Sequence, residues 1–209
     1  TQFGKEAAEE VYERLLGFVR VELFQRAQRG EPSVSGEEIQ KAVSPVVDRL
    51  SKEENTLLYL AATRATPDYY LHAHAVNNAI LAVWVGIGLG YSREALLALA
   101  GSALLHDLGM IRVMEIVQNK EQISEEAKQK VREHPRYTVD ILKRFRDLPA
   151  DCIEIAQTVH ERYNGQGYPL GLRGNRLSEK SQCVALCDVF EALTHPRSHR
   201  ESISPHKAL

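Results

Sequence analysis

Histidine and aspartate residues interrupt the most apolar stretches of this sequence. Asp188 lies inside an apolar segment, and the other residues of this kind close or precede such segments: His74, His106, Asp107 and His160. Burying a charged group costs free energy unless the group is paired or binds a metal ion. Imidazoles and carboxylates from the ends of several core helices can meet at one point, as in the metal sites of helical bundles. The pattern therefore predicts a metal site built from His and Asp side chains.

Each of these residues also has an ordinary structural explanation. A histidine at a helix end is commonly a cap or a partly exposed residue, and Asp107 can cap the turn before Gly109. Asp188 is the hardest to explain in this way, because it lies within an apolar helix. His72 and His74 point to different helical faces, and spacing does not choose between them. The histidines of the polar tail are expected to be solvated: His195, His199 and His206.

The elements that must position these side chains are all predicted to be helices. Apolar periodicity and caps predict helices at about 3–28, 36–51, 54–64, 69–88, 93–106, 125–134, 137–146, 150–162 and 178–194. Pro45 is expected to kink or split the second helix, and Pro135 to end the sixth near His134. No stretch alternates with period 2 for long enough to predict a strand. The fold class is therefore expected to be all-α, a helical bundle with additional N-terminal helices.

Length, charge and cysteine content narrow the class of protein further. The 209 residues suit one domain, or one domain with an extension. Lys and Arg number 26 against 28 Asp and Glu, so no basic excess favours nucleic acid or an anionic membrane as a partner. Three cysteines are too few for a disulfide framework. The longest apolar run, about 79–91, is shorter than the ~18–20 residues that span a bilayer. A cytoplasmic location, with no membrane or nucleic-acid partner for this segment, is therefore expected.

Two motifs resemble those of the HD-GYP family, a branch of the HD-domain metal-dependent phosphohydrolases. The first is Leu104-Leu-His-Asp-Leu-Gly-Met110, and the second is His160-Glu-Arg-Tyr-Asn-Gly-Gln-Gly-Tyr-Pro169. A His-Asp pair alone is uninformative, whereas the second motif at this distance behind it is specific. The resemblance covers about residues 74–196 and extends more loosely upstream to about residue 35. It implies an HD-domain helical bundle.

The same resemblance implies a division of the chain and an activity. Residues 1–65 would form an N-terminal helical extension or linker, and residues 66–209 an HD-GYP-like phosphohydrolase domain whose C-terminal end is expected to be truncated. Members of the family hydrolyse cyclic di-GMP to linear pGpG, and often on to GMP, in bacterial signalling. Two divalent ions are implied, with Fe or Mn first and Zn, Mg, Ni or Co as alternatives in purified protein. The N-terminal helices would form a homodimer or simply cover the bundle.

The resemblance assigns metal ligands to six positions. It assigns the first ion to His74, His106, Asp107 and Asp188. Asp107 then bridges to a second ion, which His134 and His160 also hold. The pair that names the family, His106 and Asp107, would be catalytic. Two such ions activate water near neutral pH and neutralise charge on the phosphate, and the absence of thiolate ligands argues against a structural zinc site.

Substrate binding is assigned to the loop of the second motif and to a pair of later arginines. The loop residues concerned are Gly165, Gly167, Tyr168 and Pro169, where the glycines permit positive φ and close backbone approach. Tyr168 would stack on a nucleotide or hydrogen-bond to it. The same loop is implied to contact GGDEF-domain proteins. Arg197 and Arg200 lie where the family places basic residues that bind the substrate phosphates, although solvated tail charges explain them equally well.

The sequence departs from the family pattern at four places. Val159 replaces the first histidine of a His-His-Glu motif, and Met110 replaces a lysine that contacts phosphate. Tyr70 occupies the position of a glutamate that serves a third metal ion, so a three-metal centre is not expected. Residues 196–200 lack the aromatic residue of an Arg-Pro-Tyr-Arg motif. Two alternatives therefore stay open: a degenerate module that binds metal, nucleotide or a partner without catalysis, and a hydrolase of another nucleotide phosphate.

Overall fold

The computed structural model describes residues 2–31, 34–64, 70–118, 124–195 and 202–208. Its α-helices are α1 (Gln2–Phe18), α2 (Arg26–Arg29), α3 (Gly36–Leu50), α4 (Thr56–Thr63), α5 (Tyr70–Gly88), α6 (Arg93–Leu105), α7 (Met114–Gln118), α8 (Glu125–Val131), α9 (His134–Leu142), α10 (Ala150–Thr158), α11 (Glu179–Thr194) and α12 (Pro205–Ala208). Short 3₁₀ helices span Leu108–Arg112 and Gly174–Arg176. Within the described ranges there is no strand, only an isolated bridge between Ser35 and Arg146. The predicted all-α fold is confirmed.

Serine caps begin four of these helices, as the sequence predicts. The hydroxyls of Ser35, Ser92, Ser124 and Ser178 each accept a hydrogen bond from a backbone N–H three residues later. In α3 the Glu38 carboxylate also accepts from the Ser35 N–H at 2.8 Å, which completes a capping box. These bonds satisfy N–H groups that have no partner inside the helix. They explain why the helix starts are placed more accurately from sequence than the helix ends.

Both prolines behave differently from expectation. Pro45 lies inside α3, which continues to Leu50 without a break. Burial of Val43, Val46 and Val47 on either side holds this turn in the core and offsets the lost backbone hydrogen bond. Pro135 is the second residue of α9 and does not end a helix. Proline suits the first turn of a helix because the N–H that it lacks would have no intrahelical partner there.

Helices α5 and α6 form the centre of the bundle. α6 packs against α5, α10 and α3, and α11 packs against α5. Every residue of α6 from Leu99 to Leu105 is buried. The segment 93–112 is long and apolar enough to cross a membrane by length and composition alone, but most of it is buried inside the protein. Its hydrophobicity is therefore explained by the core of the bundle.

The N-terminal helix covers the bundle with its apolar face. α1 runs through a π-helical segment, Val19–Gln25, into α2, which matches the predicted extent but not the π-helical turn. Ala8, Tyr12 and Leu15 are buried and belong to the same hydrophobic core as α5 and α6. The apolar face of α1, which could have formed a dimer interface, is thus buried within one chain. The division between residues 65 and 66 stays a prediction.

A buried hydrogen bond joins the N-terminal helix to the centre of the bundle. The Tyr12 hydroxyl donates to Asn77 Oδ1 at 2.9 Å, and both residues are almost completely buried. Asn77 in turn donates to Glu191 on α11 at 3.1 Å. A buried acceptor that loses its donor retains the full cost of desolvation. This bond should therefore contribute to the stability of the whole bundle.

We expect Tyr12→Phe to lower the free energy of unfolding by about 1–3 kcal/mol, because Asn77 Oδ1 loses its donor inside the core. Urea denaturation monitored by circular dichroism measures the change. Tyr59→Phe is the matched control, since the Tyr59 side chain is 63% exposed. Equal stability of the two variants would show that the Tyr12 hydroxyl contributes nothing to the packing of α1.

Candidate metal centre

The six predicted metal ligands lie together at one end of the bundle. His74 comes from α5 and Asp188 from α11. His106 and Asp107 follow α6, His134 begins α9, and His160 follows α10. The bundle thus brings together side chains that the sequence separates by up to 114 residues. Most of them stand at helix ends, where the backbone turns away from the core and leaves room for a polar centre.

The ligand atoms form two groups that share one carboxylate. The first group contains His74, His106, Asp107 and Asp188, and the second contains Asp107, His134 and His160. Within each group the donor atoms all lie within 4.8 Å of one another. This division is the one that the resemblance implies.

Asp107 is the carboxylate around which the histidines are arranged. Its Oδ1 lies 3.1 Å from Nε2 of both His134 and His160. On the other side it lies 3.5 Å from Nε2 of His106, and Oδ2 lies 3.8 Å from Nε2 of His74. Because a carboxylate has two oxygens, one residue can serve two neighbouring ions.

Asp188 and His160 close the space between the two groups. Asp188 Oδ1 lies 3.3 Å from His74 Nε2, and Oδ2 lies 3.5 Å from His160 Nδ1. His160 therefore turns one nitrogen toward each carboxylate. The side chain of Asp188 is 11% exposed, so its charge is supported by the imidazoles rather than by solvent.

Outer hydrogen bonds fix how three of the imidazoles are presented. Nδ1 of His106 donates to the Ala103 carbonyl at 2.7 Å, and Nδ1 of His134 donates to the Val131 carbonyl at 2.7 Å. Nδ1 of His74 lies 2.5 Å from Glu191 Oε2. With Nδ1 engaged in this way, each ring turns Nε2 toward the cluster. Metal-binding histidines are commonly oriented by such partners.

The donor set fits divalent metal ions. Nε2 of His106 is buried and has no hydrogen-bond partner, although it faces two carboxylates. Such an orphaned acceptor is costly in a protein interior unless a cation or a water molecule satisfies it. Neutral imidazoles and carboxylates are the ligands that Fe, Mn and Zn accept. The residues present therefore suit the two-metal centre that the sequence predicts.

In the metal-free protein, protons bound to the imidazoles take the place of metal ions and balance the charge of the carboxylates. Burial lowers the pKa of His74, but the Glu191 and Asp188 carboxylates outweigh burial and raise it to about 10. Burial likewise opposes a charge on His160, whose pKa is raised to about 9 by Asp107 and Asp188. Burial lowers the pKa of His106, which is therefore neutral at pH 7. The surrounding histidines outweigh the effect of burial and hold the pKa of Asp107 well below its usual range.

Sequence reasoning missed two buried residues behind the ligands. Glu191 lies one helical turn after Asp188, and its carboxylate bonds to His74 and Asn77. The i, i+3 spacing from Asp188 was the available signal. His195 was expected to be solvated, but it is only 2% exposed and its Nδ1 donates to the Glu191 carbonyl at 3.0 Å. His72, which spacing could not separate from His74, lies away from the cluster against Phe24.

The loop of the second motif covers the second group of ligands. The Tyr168 ring stacks on His160, with centroids 5.1 Å apart and planes 13° apart, and meets His134 edge-on. Gly165 has φ +77°, and a side chain there would collide with Arg173. At Gly167 a side chain would collide with the backbone at Glu161, which the loop crosses at this point. Both glycines therefore serve the predicted purpose, and Pro169 is exposed at the loop surface.

Glu161 holds this loop and is not available as a ligand. The residue is only 2% exposed, and its two oxygens accept hydrogen bonds from the backbone N–H groups of Leu170 and Leu172, at 2.6 and 3.1 Å. Both Glu161 oxygens are therefore engaged by the loop, and the carboxylate does not take the place of an imidazole at Val159. Its carboxylate is used to fasten the loop, and with it Tyr168, against the His and Asp cluster.

The structure describes three of the five remaining positions that the sequence analysis singled out. Arg197 and Arg200 lie outside the described residues. Val159 is completely buried within the hydrophobic core, and Met110 is buried in the 3₁₀ helix after Asp107. The Tyr70 hydroxyl lies 3.2 Å from Glu191 Oε2, behind His74. Tyr70 thus supports the back of the first group.

Comparisons with known proteins agree with this geometry. A family model described as an HD domain matches residues 68–209. A cyclic di-GMP phosphodiesterase of Pseudomonas aeruginosa is 31% identical over 174 residues, which cover 79% of this chain and 41% of that protein. The cyclic di-GMP phosphodiesterase response regulator RpfG of Xanthomonas campestris is 32% identical over 163 residues, or 76% of this chain and 42% of that protein.

Further matches extend the comparison to a second substrate and to a solved structure. A 3'3'-cGAMP-specific phosphodiesterase of Vibrio cholerae is 29% identical over 141 residues, or 67% of this chain and 30% of that protein. An HDG"Y"P protein from Bdellovibrio bacteriovorus has the same fold, with a TM-score of 0.68 at 20% identity over 98% of this chain and 61% of that one. The chain spans well under half the length of the curated relatives that it matches.

We expect metal binding to release protons and to weaken as the pH falls. The raised pKa values of His74 and His160 lie near 10 and 9, so both rings are positively charged imidazolium groups at pH 7 in the metal-free protein. Each ring must lose its second proton to bind an ion. Calorimetric titration with Mn²⁺ in buffers of different ionisation enthalpy should count about two protons released at pH 7, and fewer above pH 9. A proton count that does not change with pH would contradict this coupling.

Asp107→Asn should remove metal from both groups, because the substitution takes away the carboxylate that they share. Elemental analysis of purified protein should show at least a tenfold loss of bound metal. Asp140→Asn is the control, since Asp140 is an exposed acid on α9 outside both groups. Loss of one ion with retention of the other would show that the two groups bind independently of Asp107.

Proposed function

The chain belongs to the HD-domain family, and on this premise we propose that it is a metal-dependent phosphodiesterase acting on cyclic di-GMP in bacterial second-messenger signalling. The products would be pGpG, GMP or both. The observation that carries the proposal is the pair of donor groups joined at Asp107. Such a pair suits phosphodiester hydrolysis, in which attacking and leaving oxygens both need stabilisation. The relatives named as cyclic di-GMP phosphodiesterases support the choice of substrate.

We propose that six side chains hold two divalent ions. His74, His106, Asp107 and Asp188 would bind the first ion, and Asp107, His134 and His160 the second. Fe or Mn suits this mixed imidazole and carboxylate set best, with Zn, Mg, Ni and Co as alternatives. When bound, such ions lower the pKa of coordinated water and offset charge on a phosphate.

The protein's own residues prepare this chemistry by orientation and by exclusion of water. The carbonyls of Ala103 and Val131 and the Glu191 carboxylate fix the rings of His106, His134 and His74. These rings therefore need little rearrangement when a substrate arrives. Tyr168 covers His160 and limits the access of bulk solvent from that side.

A second candidate substrate comes from the relatives. Three matched proteins of Vibrio cholerae are named as 3'3'-cGAMP-specific phosphodiesterases, at 29–33% identity. Cyclic di-GMP and 3'3'-cGAMP share two 3',5' phosphodiester bonds and differ in one base. The metal centre would treat the two alike, so the choice between them would rest on contacts to the bases. One alternative from the sequence analysis was a hydrolase of another nucleotide phosphate. Hydrolysis of 3'3'-cGAMP is the main example of that alternative.

We also propose partners and a location for the protein. Cyclic di-GMP is the proposed substrate, and GGDEF-domain proteins are proposed to contact the loop at 164–171. Tyr163, directly before this loop, and Leu170 within it support that contact, since both side chains are more than half exposed. A homodimer through the N-terminal helices would have to use surface outside the buried stripe of α1. The cytoplasm is the proposed location, because the substrate is a cytoplasmic messenger.

The decisive experiment measures metal content and turnover on the same anaerobically purified sample. About two metal ions per chain should be bound, and cyclic di-GMP should be converted to pGpG or GMP. Chelation should abolish turnover, and Fe²⁺ or Mn²⁺ should restore it. Asp107→Asn should be inactive while Asp140→Asn matches the parent protein.

Each other outcome selects an alternative. Turnover of 3'3'-cGAMP in place of cyclic di-GMP would assign the second substrate. Bound metal without turnover of either compound, after Fe²⁺ and Mn²⁺ have been added back, would contradict the proposed activity and leave a degenerate binding module.

A further inference from the structure

An arginine that the motifs do not single out lies at the edge of the metal centre. The guanidinium of Arg132 is placed over the Tyr168 ring, with Cζ 5.6 Å from the ring centroid. The same ring stacks on His160. Arg132 follows α8 and stands two residues before His134. A continuous set of contacts therefore runs from an exposed cation through Tyr168 to the second group of ligands.

The charge of a cyclic dinucleotide makes a cation at this place useful. The substrate has two phosphodiester groups, each with one negative charge, and only one of them can be cleaved at the metal centre at a time. The other must be bound elsewhere on the protein. Met110, three residues after Asp107, provides no charge. Among the described residues, Arg132 is the cation that lies over the Tyr168 ring at the edge of the centre.

We propose that Arg132 forms a binding subsite for the second phosphodiester of a cyclic dinucleotide. The inference rests on the proposed function and deepens it. Arg132 is suited to the role because its stacking on Tyr168 restricts the guanidinium before the substrate binds, which reduces the entropy lost on binding. The planar guanidinium also offers paired N–H donors to two phosphate oxygens, which a lysine does not.

The subsite explains why the loop is fastened so firmly. Glu161 accepts two backbone hydrogen bonds from the loop, and Gly167 lets the loop pass directly against Glu161. These contacts fix Tyr168, and Tyr168 in turn fixes Arg132. The distance between the metal centre and the second phosphate is thereby set by packed side chains and not by a free arginine.

The test compares Arg132→Gln with the parent protein on two substrates. For cyclic di-GMP the variant should raise KM about tenfold with kcat within about twofold, because a charged hydrogen bond is lost in both the ground state and the transition state. For bis(p-nitrophenyl) phosphate, which has a single phosphodiester, both constants should be unchanged. Arg132→Lys should recover only part of the loss, because it restores the charge without the paired donors. Arg136→Gln is the matched control, since it removes an exposed arginine from the first turn of α9.

The outcomes separate the subsite from the proposed function. An unchanged KM for cyclic di-GMP in Arg132→Gln, with the parent protein active, overturns the subsite and leaves the function intact. Equal losses on both substrates, or loss of bound metal, also overturn it, because they indicate damage to the centre itself. If the parent protein hydrolyses no cyclic dinucleotide, the proposed function fails. Equilibrium binding of radiolabelled cyclic di-GMP and 3'3'-cGAMP to metal-loaded protein then decides: weaker binding by Arg132→Gln supports the subsite, and equal or absent binding refutes it.

Discussion

The carboxylate of Asp107 is held in the interior by four imidazoles, and the rest of the structure serves that arrangement. A buried charge costs several kcal/mol unless partners replace its lost hydration. Here the partners come from helices α5, α6, α9 and α10, so those helices must end at the same point. The hydrophobic packing of α5 against α6 supplies the free energy, and the polar centre determines where the helices meet.

Outside this first layer, His74 is held by a series of buried polar groups, each of which has a partner of its own. His74 is bonded to Glu191, Glu191 accepts from Asn77, and Asn77 accepts from Tyr12 on the N-terminal helix. Buried polar chains of this kind stabilise the fold only when every member is satisfied. The N-terminal helix therefore completes the support of the metal centre in addition to covering the bundle. A substitution at Tyr12, the outer member of this hydrogen-bonded series, acts on His74 only through the intermediate bonds.

Sequence signals predicted most of the helices and the six side chains that the structure brings together, for different reasons. Serine caps and apolar periodicity are local signals, which is why the starts at Ser35, Ser92 and Ser124 were predicted correctly. Five of the six clustered side chains were recognisable as polar residues in or beside apolar segments, and the resemblance to the HD-GYP motifs then added His134 and grouped them. Proline was misjudged in both cases, because its effect depends on its position within a helix and on the surrounding packing. The burial of His195 and the partner of Glu161 depend on tertiary contacts that no local pattern encodes.

The departure at Val159 carries less weight once the side chains are placed. Val159 is fully buried and packs in the hydrophobic core, while the next residue, His160, reaches the cluster. His160 directs Nε2 to Asp107 and Nδ1 to Asp188, so a single ring connects the two donor groups. The second group then has three donors from three different elements without an imidazole at residue 159. Three protein ligands with open positions are typical of catalytic metal sites, whereas structural sites are usually closed by four. The valine therefore leaves in place the three side chains that are proposed to hold the second ion.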